Sequence, residues 1–190
     1  MGLFFSVCLC VCVCVCVCVF IRNINKWFLM SVIYFVLLPP LQELAEFEKV
    51  TDHVKVTQRD LEQDGFSKNP FFHGIVAEVP EQQKTTEGHT KIGYALYFYS
   101  YSSWSGRAVY MEDLYVMPEF RGKGIGKALM SKVAQLGLAA GCNQLNFTVL
   151  NWNKSSVDFY LSQGCYDLTD KMGYHCMRCE GEALEHLAQP

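Results

Sequence analysis

The stretch from Met111 to Gly126, MEDLYVMPEFRGKGIG, decides the fold of this chain. Its first half belongs to a segment rich in β-branched and aromatic residues, Val109 to Met117, which predicts a strand. Pro118 ends that strand, and three alternating glycines follow it. Apolar residues then recur at helical spacing, at Ile125, Leu129, Val133 and Leu136. The stretch therefore predicts a strand, a glycine-rich loop and a helix over residues 124–140.

A glycine-rich loop before a helix binds phosphate for a physical reason. Glycine lets the backbone approach an anion and adopt positive φ, and the first N–H groups of a helix have no intrahelical partner. The helix dipole favours an anion at the same place, and Arg121 and Lys123 add positive charge. The glycine spacing does not match the dinucleotide-binding G-x-G-x-x-G, and no Lys-Ser/Thr pair indicates a P-loop. The alternative is a flexible turn without a ligand.

The segment Arg121–Gly126, RGKGIG, resembles the pyrophosphate loop Arg/Gln-x-x-Gly-x-Gly/Ala of the GNAT superfamily of acetyl-CoA-dependent N-acetyltransferases. Its flanks resemble the diamine (spermidine/spermine) acetyltransferase group, in the segments YMED (110–113), NWN (151–153) and FY (159–160). Three further segments are similar to the thialysine-acetylating branch of that group: ELAEFEK (43–49), YSSW (101–104) and YVMPEFRG (115–122). The resemblance covers roughly residues 41–190.

The resemblance implies the α/β (α+β) class and the GNAT fold. This fold is a mixed, mostly antiparallel sheet with a splayed parallel pair of strands around the cofactor helix. Sequence patterns predict helices over 41–49, 57–64, 124–140, 155–163 and 182–187, and strands over 71–79, 91–101, 107–117, 144–150 and 174–179. Thr57 is expected to cap the second helix with Asp60, and Gly65 to end it.

The resemblance also implies acetyl-CoA as co-substrate, with no metal. Backbone groups of the strand before the loop are expected to bind the pantetheine arm and the acetyl oxygen, at Leu114, Tyr115 and Val116. The loop is expected to hold the pyrophosphate, through Arg121, Gly122, Lys123, Gly124, Ile125, Gly126 and Lys127. A second segment of the family touches coenzyme A and matches Asn153, Ser155 and Ser156; Ser155 stands where the diamine enzymes have proline.

Acetyl transfer to an amine requires a base, because a lysine-like ammonium has a pKa of about 10.4, and an acid for the leaving thiolate. The resemblance assigns the acid to Tyr160, whose alternative is a core position beside Phe159. Glu112 is the candidate on the amine side, as base or substrate binder, and its alternative is an ordinary acid at a strand end. Neighbours on a strand point to opposite faces, so Glu112 and Asp113 share a pocket only if a bulge intervenes.

The remaining substrate positions are implied by the same resemblance. The full substrate-binding set is Phe47, Glu48, Trp104, Glu112, Asp113, Asn146, Phe147 and Thr148. Ser102 occupies a position where the diamine enzymes carry aspartate, which favours a thialysine-like amine over a polyamine with several charges. The alternatives are a true spermidine/spermine acetyltransferase and a non-catalytic variant with a disrupted N-terminus.

Charge and cysteine content favour a cytoplasmic enzyme. All 19 acidic residues lie within 41–190 against 14 basic ones, which disfavours nucleic acid and suits a small-molecule amine. The cysteines outside residues 8–18 fit a reducing compartment, and Cys176-x-x-Cys179 lacks a second ligand pair. The sequons at Asn146 and Asn153 fall in the predicted site, where glycans would block catalysis. The family forms homodimers, which is the expected assembly here.

Residues 1–40 form an atypical, apolar, Cys-Val-rich segment that is expected to lie outside the family domain. Cys-Val repeats four times over 12–19, as a translated thymine-guanine repeat would encode. The alternative is a membrane segment over 3–21, about 19 apolar residues long. On the first interpretation the domain, residues 41–190, lacks its usual first strand, and residues 31–37 are a candidate substitute.

Overall fold

The computed structural model describes residues 19–23, 38–49, 51 and 55–189. The chain divides into two compact units, Met1–Thr148 and Val149–Pro190. The first unit contains the sheet and the glycine-rich loop. The second contains the segments that follow the last strand.

The first unit contains a five-stranded mixed sheet, which confirms the predicted fold class. Its strands, in the spatial order β1-β2-β3-β4-β5, are β1 Phe20–Asn23, β2 His73–Glu78, β3 Lys91–Ser102, β4 Gly106–Val116 and β5 Gln144–Asn146. The first three pairings are antiparallel, whereas β4 and β5 run parallel. The parallel pairing spans only Ala108–Tyr110 of β4, so the two strands separate beyond that point as the family resemblance predicts.

The edge strand β1 comes from the Cys-Val-rich end of the chain. Phe20 pairs with Glu78, and Asn23 pairs with Ile75. The substitute strand predicted over residues 31–37 lies outside the described residues. The first position in the sheet is therefore filled by a segment for which the sequence predicted no strand.

Three α-helices of the first unit lie within the described residues: α1 Leu38–Glu48, α2 Gln58–Phe66 and α3 Ile125–Ala139. The predicted capping box of α2 is present, with Asp60 N–H donating to Thr57 Oγ1 at 3.3 Å and Thr57 N–H donating to Asp60 Oδ2 at 2.9 Å. The prediction that Gly65 ends this helix is wrong, since α2 continues to Phe66. Gly65 instead makes room for packing, because a Cβ there would lie 2.6 Å from Phe72 Cζ.

Helix α3 packs on the sheet against β2, β3 and β4. Its apolar residues Ile125, Leu129, Val133 and Gly137 are buried, as the periodicity predicted for the first three. Close approach at Gly137 leaves no room for a side chain, since a Cβ there would lie 2.8 Å from Val109 Cγ1. This contact fixes the start of β4 beneath the end of α3.

The second unit contains three short helices, α4 Lys154–Ser162, α5 Leu168–Met172 and α6 Glu182–Leu187. The strand predicted over residues 174–179 is wrong: these residues are exposed and irregular. A strand requires a neighbouring strand for its hydrogen bonds, and the described sheet ends at β5. The strand predicted over 144–150 is likewise shorter, because regular pairing ends at Asn146.

None of the helices in the described part of the chain has the length and hydropathy to span a bilayer. Residues 3–18 of the candidate membrane segment lie outside that part of the chain.

Candidate active site

The glycine-rich loop has the conformation that its glycines predict. Gly122 and Gly124 have φ values of 73° and 79°, in the left-handed region that favours glycine. Gly124 is the N-cap of α3, and the first helical bond runs from Ala128 N–H to Gly124 O at 3.0 Å. The N–H groups at 125–127 precede that bond, so they are available to an anion.

The two cations of the loop hold its backbone. Arg121 Nε donates to Val116 O at 2.8 Å, and Lys123 Nζ donates to Glu119 O at 2.9 Å. Lys123 Nζ also lies 4.8 Å from the centre of the Phe120 ring. These side chains link the loop to the end of β4 and the turn that follows it. Because both cations already donate to backbone carbonyls, the backbone N–H groups are the main anion-binding groups of the loop.

A β-bulge interrupts β4 at Glu112. Leu96 pairs with Asp113, but Tyr97 pairs with Met111, so Glu112 has no partner on β3. The bulge reverses the faces of the strand: both Val109 and Val116 meet α3, at Gly137 and Gly126, although seven positions separate them. Glu112 and Asp113 therefore share the opposite face. Adjacent residues of a strand can line one pocket only when such a bulge lies between them.

Two carboxylates near Glu112 have raised pKa values. Burial raises the pKa of Asp113 to about 6, and the charges of Glu112 and Glu48 act in the same direction. Burial, followed by the charge of Glu112, raises the pKa of Glu48 on α1. None of the described Lys, Arg or His side chains forms an ion pair with these three carboxylates. We call Glu48, Glu112 and Asp113 the acidic cluster.

Tyr94 is a neighbour of the cluster that the sequence did not indicate. Its side chain is fully buried on β3, and its hydroxyl lies 3.4 Å from Asp113 Oδ2. Burial, together with the charge of Asp113, raises the pKa of Tyr94 well above its usual value, so the phenol is a hydrogen-bond donor. Only the register of β3 on β4 brings the two residues together.

A second contact network joins the cofactor loop to α1. The Tyr115 hydroxyl donates to a carboxylate oxygen of Glu43. The Arg121 guanidinium lies 5.7 Å from the Tyr115 ring centre and 5.8 Å from that of Phe47. Glu43 and Phe47 are four residues apart on α1 and so share one face of that helix. This spacing is the sequence signal that indicates a role for Glu43 beside Phe47.

The strand edge assigned to the pantetheine arm is open. Because β5 pairs only with Ala108–Tyr110, the following residues of β4 have no strand partner on that side within the described chain. Leu114, Tyr115 and Val116 lie on this part of the strand. Their backbone groups on the open edge are available to a ligand, although Val116 O already accepts from Arg121.

The predicted substrate positions after α3 surround the start of this gap. Asn146 ends β5 and pairs with Tyr110, whose hydroxyl lies 3.5 Å from Thr148 Oγ1. Asn146 and Thr148 are exposed, and Phe147 is half-buried. These residues border the point where β4 and β5 separate.

Trp104 lies away from the acidic cluster in the same chain. It is 91% exposed in the turn between β3 and β4. Glu112 lies six positions after Gly106 along the extended strand, which corresponds to roughly 20 Å. Ser102 serves the turn itself, since its Oγ accepts from the N–H groups of Trp104 and Ser105, both at 3.3 Å.

In the second unit, Asn153 caps α4. Its Oδ1 accepts from Ser156 N–H at 3.3 Å and from Ser155 Oγ at 3.2 Å, which brings the three predicted cofactor residues of this segment together. Tyr160 is half-buried on α4, and its ring centre lies 5.2 Å from that of Phe159. In the described part of the chain, no group of His, Cys, Asp and Glu side chains is arranged to hold a metal ion.

Sequence comparison identifies relatives that cover most of the chain. The Acetyltransferase (GNAT) family pattern matches residues 39–165. The thialysine N-epsilon-acetyltransferase of Bos taurus is 47% identical over 152 residues, which is 80% of this chain and 89% of the relative. The spermidine/spermine N(1)-acetyltransferase-like protein 1 of Homo sapiens is 38% identical over 80% of this chain, but the match covers 22% of that protein.

Solved structures show the same fold at lower identity. An integron cassette protein from the mobile metagenome of V. cholerae has a TM-score of 0.68 and 24% identity, over 90% of this chain and 98% of that chain. An aminoglycoside N-acetyltransferase solved in complex with CoA has a TM-score of 0.53 and 20% identity, over 85% of this chain and 95% of that chain.

Proposed function

The chain belongs to the GNAT family of acetyltransferases, and we propose that it acetylates the terminal amine of thialysine or a similar small amine. As a member of this family, it is an N-acetyltransferase that uses acetyl-CoA as co-substrate. The 47% identity to an enzyme named for thialysine supports this substrate class. The 38% identity to the spermidine/spermine acetyltransferase-like protein is consistent with weaker activity on polyamines.

One observation carries the substrate proposal: burial and the charges of the acidic cluster raise the pKa values of Glu48 and Asp113, and none of its carboxylates forms an ion pair with a described cation. A substrate ammonium would supply the missing positive charge. Burial strengthens that attraction, since charges interact more strongly away from water. Ser102, where the diamine enzymes carry aspartate, supports a substrate with fewer positive charges than a polyamine.

The residues of the loop fit the phosphate groups of coenzyme A. Two glycines with positive φ and three free N–H groups at the start of α3 form the anion site that the loop provides. We assign the pyrophosphate to residues 121–127, the pantetheine arm to residues 114–116, and further contacts to Asn153, Ser155 and Ser156. Acetyl-CoA supplies the acetyl group as a thioester, so a C–N bond forms as the C–S bond breaks.

The proton transfers are assigned to two side chains. Glu112 serves the amine side as substrate binder or base, and Tyr160 donates a proton to the departing thiolate. Glu112 is exposed at the bulge, which supports contact with a substrate that arrives from solvent. The remaining substrate contacts are assigned to Phe47, Glu48, Asp113, Asn146, Phe147 and Thr148.

We further propose that the chain acts as a homodimer in the cytoplasm. Trp104 supports the dimer, because its exposure and its distance from Glu112 suit a contact with the site of a second copy better than with its own. A sedimentation measurement of the full chain tests the assembly. A monomeric enzyme with full activity would contradict the dimer and the role of Trp104.

The substrate assignment is tested by acetyl-CoA turnover of the full chain with thialysine and with spermidine. We expect a higher kcat/KM for thialysine, and a kcat at least about tenfold lower for Tyr160→Phe, in line with the effect of removing a general acid. Tyr166→Phe is the matched control in the same unit, since Tyr166 has no assigned role. A higher kcat/KM for spermidine would show that a polyamine, and not thialysine, is the preferred substrate. Absence of turnover with either amine would refute the proposed activity.

A further inference from the structure

The amine side of the proposed reaction needs a group that accepts a proton from the substrate ammonium. We propose that the carboxylate of Asp113 is this acceptor and that the Tyr94 hydroxyl positions it. The inference rests on the proposed function, because it assigns a role within that reaction. Glu112 then binds the amine and passes the proton on to solvent.

The bulge gives Asp113 and Glu112 different surroundings on the same face. Asp113 is half-buried, and the Tyr94 hydroxyl 3.4 Å from its Oδ2 restrains the carboxylate. Glu112 is exposed and is the residue without a partner on β3. A base acts best when its geometry is fixed in advance, which favours the restrained carboxylate over the exposed one.

The groups around Asp113 are predominantly acidic. The titratable and charged groups that face it or its direct neighbours are Glu112 and Tyr115 on β4, Tyr94 on β3, Glu48 and Glu43 on α1, and Arg121 and Glu119 near Tyr115. Arg121 is the single cation of this set. An ammonium that enters here therefore meets a predominantly negative field.

The protonation of Asp113 suits this role. Burial, with Glu112 and Glu48 acting in the same direction, raises the pKa of Asp113 to about 6, while the hydrogen bond from Tyr94 opposes the rise. A base is most effective when its pKa lies near the operating pH. At neutral pH the carboxylate is mostly ionised, yet it holds a proton more readily than an ordinary aspartate does.

The proton balance of the reaction is complete with this assignment. The ammonium gives its first proton to Asp113, which leaves the neutral amine to form the C–N bond. The second proton leaves the nitrogen as the amide forms and passes through water to Tyr160, where it replaces the proton that Tyr160 gives to the departing thiolate. Asp113 then releases its proton through Glu112 to water, so each turnover liberates one proton.

The test is the pH dependence of kcat/KM for thialysine at saturating acetyl-CoA. The wild-type chain should show a rising limb near pH 6, well below the titration of the substrate ammonium at about 10. Asp113→Asn should lower kcat about a hundredfold and abolish this limb. Glu112→Gln should keep the limb and move it to lower pH, because a charge that raises the pKa of Asp113 is gone.

Tyr94→Phe distinguishes positioning from packing. Loss of the hydrogen bond should raise the pKa of Asp113 and move the limb to higher pH, whereas a purely structural defect would lower the rate at all pH values alike. Tyr97→Phe is the matched control, since Tyr97 is also buried on β3 but its hydroxyl forms a hydrogen bond with Tyr99. Its limb should not move.

Two results would overturn the inference and leave the proposed function intact. They are a limb that persists in Asp113→Asn, and a limb that disappears in Glu112→Gln alone. A wild-type chain that acetylates no amine would refute both the inference and the proposed function. If Asp113→Asn fails to fold, carboxyl ¹³C titration of the wild-type chain decides. The Asp113 signal should titrate near pH 6 and shift to lower pH with thialysine, and a signal that is insensitive to thialysine would refute contact with the ammonium.

Discussion

The Tyr94 hydroxyl and the Asp113 carboxylate lie 3.4 Å apart across the pairing of β3 with β4. They meet because the bulge at Glu112 shifts the register by one residue. Without it, Asp113 would lie on the α3 face and Tyr94 would lack this partner. One unpaired residue thus determines which carboxylates face α1.

Asp113→Asn should change how stability depends on pH. Folding raises the pKa of Asp113 from 3.8 to about 6, so its contribution to stability is fully present below the lower value and is lost as pH rises through the higher one. The wild-type chain should therefore lose up to about 3 kcal/mol across this range relative to the variant, at roughly 1.4 kcal/mol per pKa unit.

Urea unfolding of both chains between pH 4 and pH 8 measures this difference. Glu112→Gln should show a smaller pH-dependent loss than the wild-type chain, because one cause of the raised pKa of Asp113 is removed. A difference between wild type and Asp113→Asn that stays constant with pH would contradict the raised pKa.

Gly122→Ala should weaken acetyl-CoA binding. An alanine at a φ of 73° costs about 1–2 kcal/mol, and relief of that strain would move the loop N–H groups. We expect an increase in KM for acetyl-CoA of about tenfold, the equivalent of 1.4 kcal/mol.

Gly88→Ala provides the matched control for this glycine. Gly88 has a φ of 88°, and, as at Gly122, a Cβ there would meet no atom within 4 Å. Both variants should lose similar stability, measured by thermal unfolding, but only Gly122→Ala should change KM. Equal KM values for acetyl-CoA in the two variants would show that the conformation at Gly122 does not affect cofactor binding.

Tyr115→Phe should loosen α1 without removing the ring beside Arg121. The variant loses the hydrogen bond to Glu43, which is worth about 1.5–3 kcal/mol for a charged acceptor. Because Phe47 and Glu48 lie on the same helix, KM for the amine should rise more than KM for acetyl-CoA. Steady-state kinetics with each substrate varied in turn measures both constants, with Tyr97→Phe as control. Equal increases would show that the contact does not position α1.

Ile21→Pro tests whether the N-terminal segment belongs to the domain. Ile21 pairs with Ala77 on β2, and proline removes a donor and restricts the backbone. We expect a lower Tm than for Ile21→Thr, which removes apolar surface but keeps the N–H group. Thermal unfolding of both variants gives the comparison. Identical values would indicate that β1 contributes nothing to the stability of the sheet.

Local patterns were sufficient for most of the helices and for the loop. Thr57 and Asp60 cap α2 because their bonds span three residues, and the left-handed glycines before α3 follow from their own stereochemistry. The same kind of local signal is present at α5, for which no helix was predicted: Asp167 caps it, with Oδ1 accepting from Thr169 N–H at 2.8 Å, and Gly173 follows in the left-handed region.

Strand length could not be predicted in this way. Residues 174–179 have strand-forming side chains but no described partner strand, and β5 ends where it separates from β4. A strand depends on hydrogen bonds to distant residues, so local composition indicates only the capacity to form one. The edge strand Phe20–Asn23 is the opposite case. Its residues form a strand because they pair with β2, although local composition predicted none there.

The sequence by itself determined the family, the cofactor loop and the identity of the acidic residues, since each depends on neighbours a few positions apart. Only the tertiary structure decided that Glu112 and Asp113 share a face, that Tyr94 contacts Asp113, and that Glu43 contacts Tyr115. These relations depend on the register between strands and on the docking of α1. Both are set by packing over the whole sheet, where a shift of one residue exchanges every side chain between the two faces.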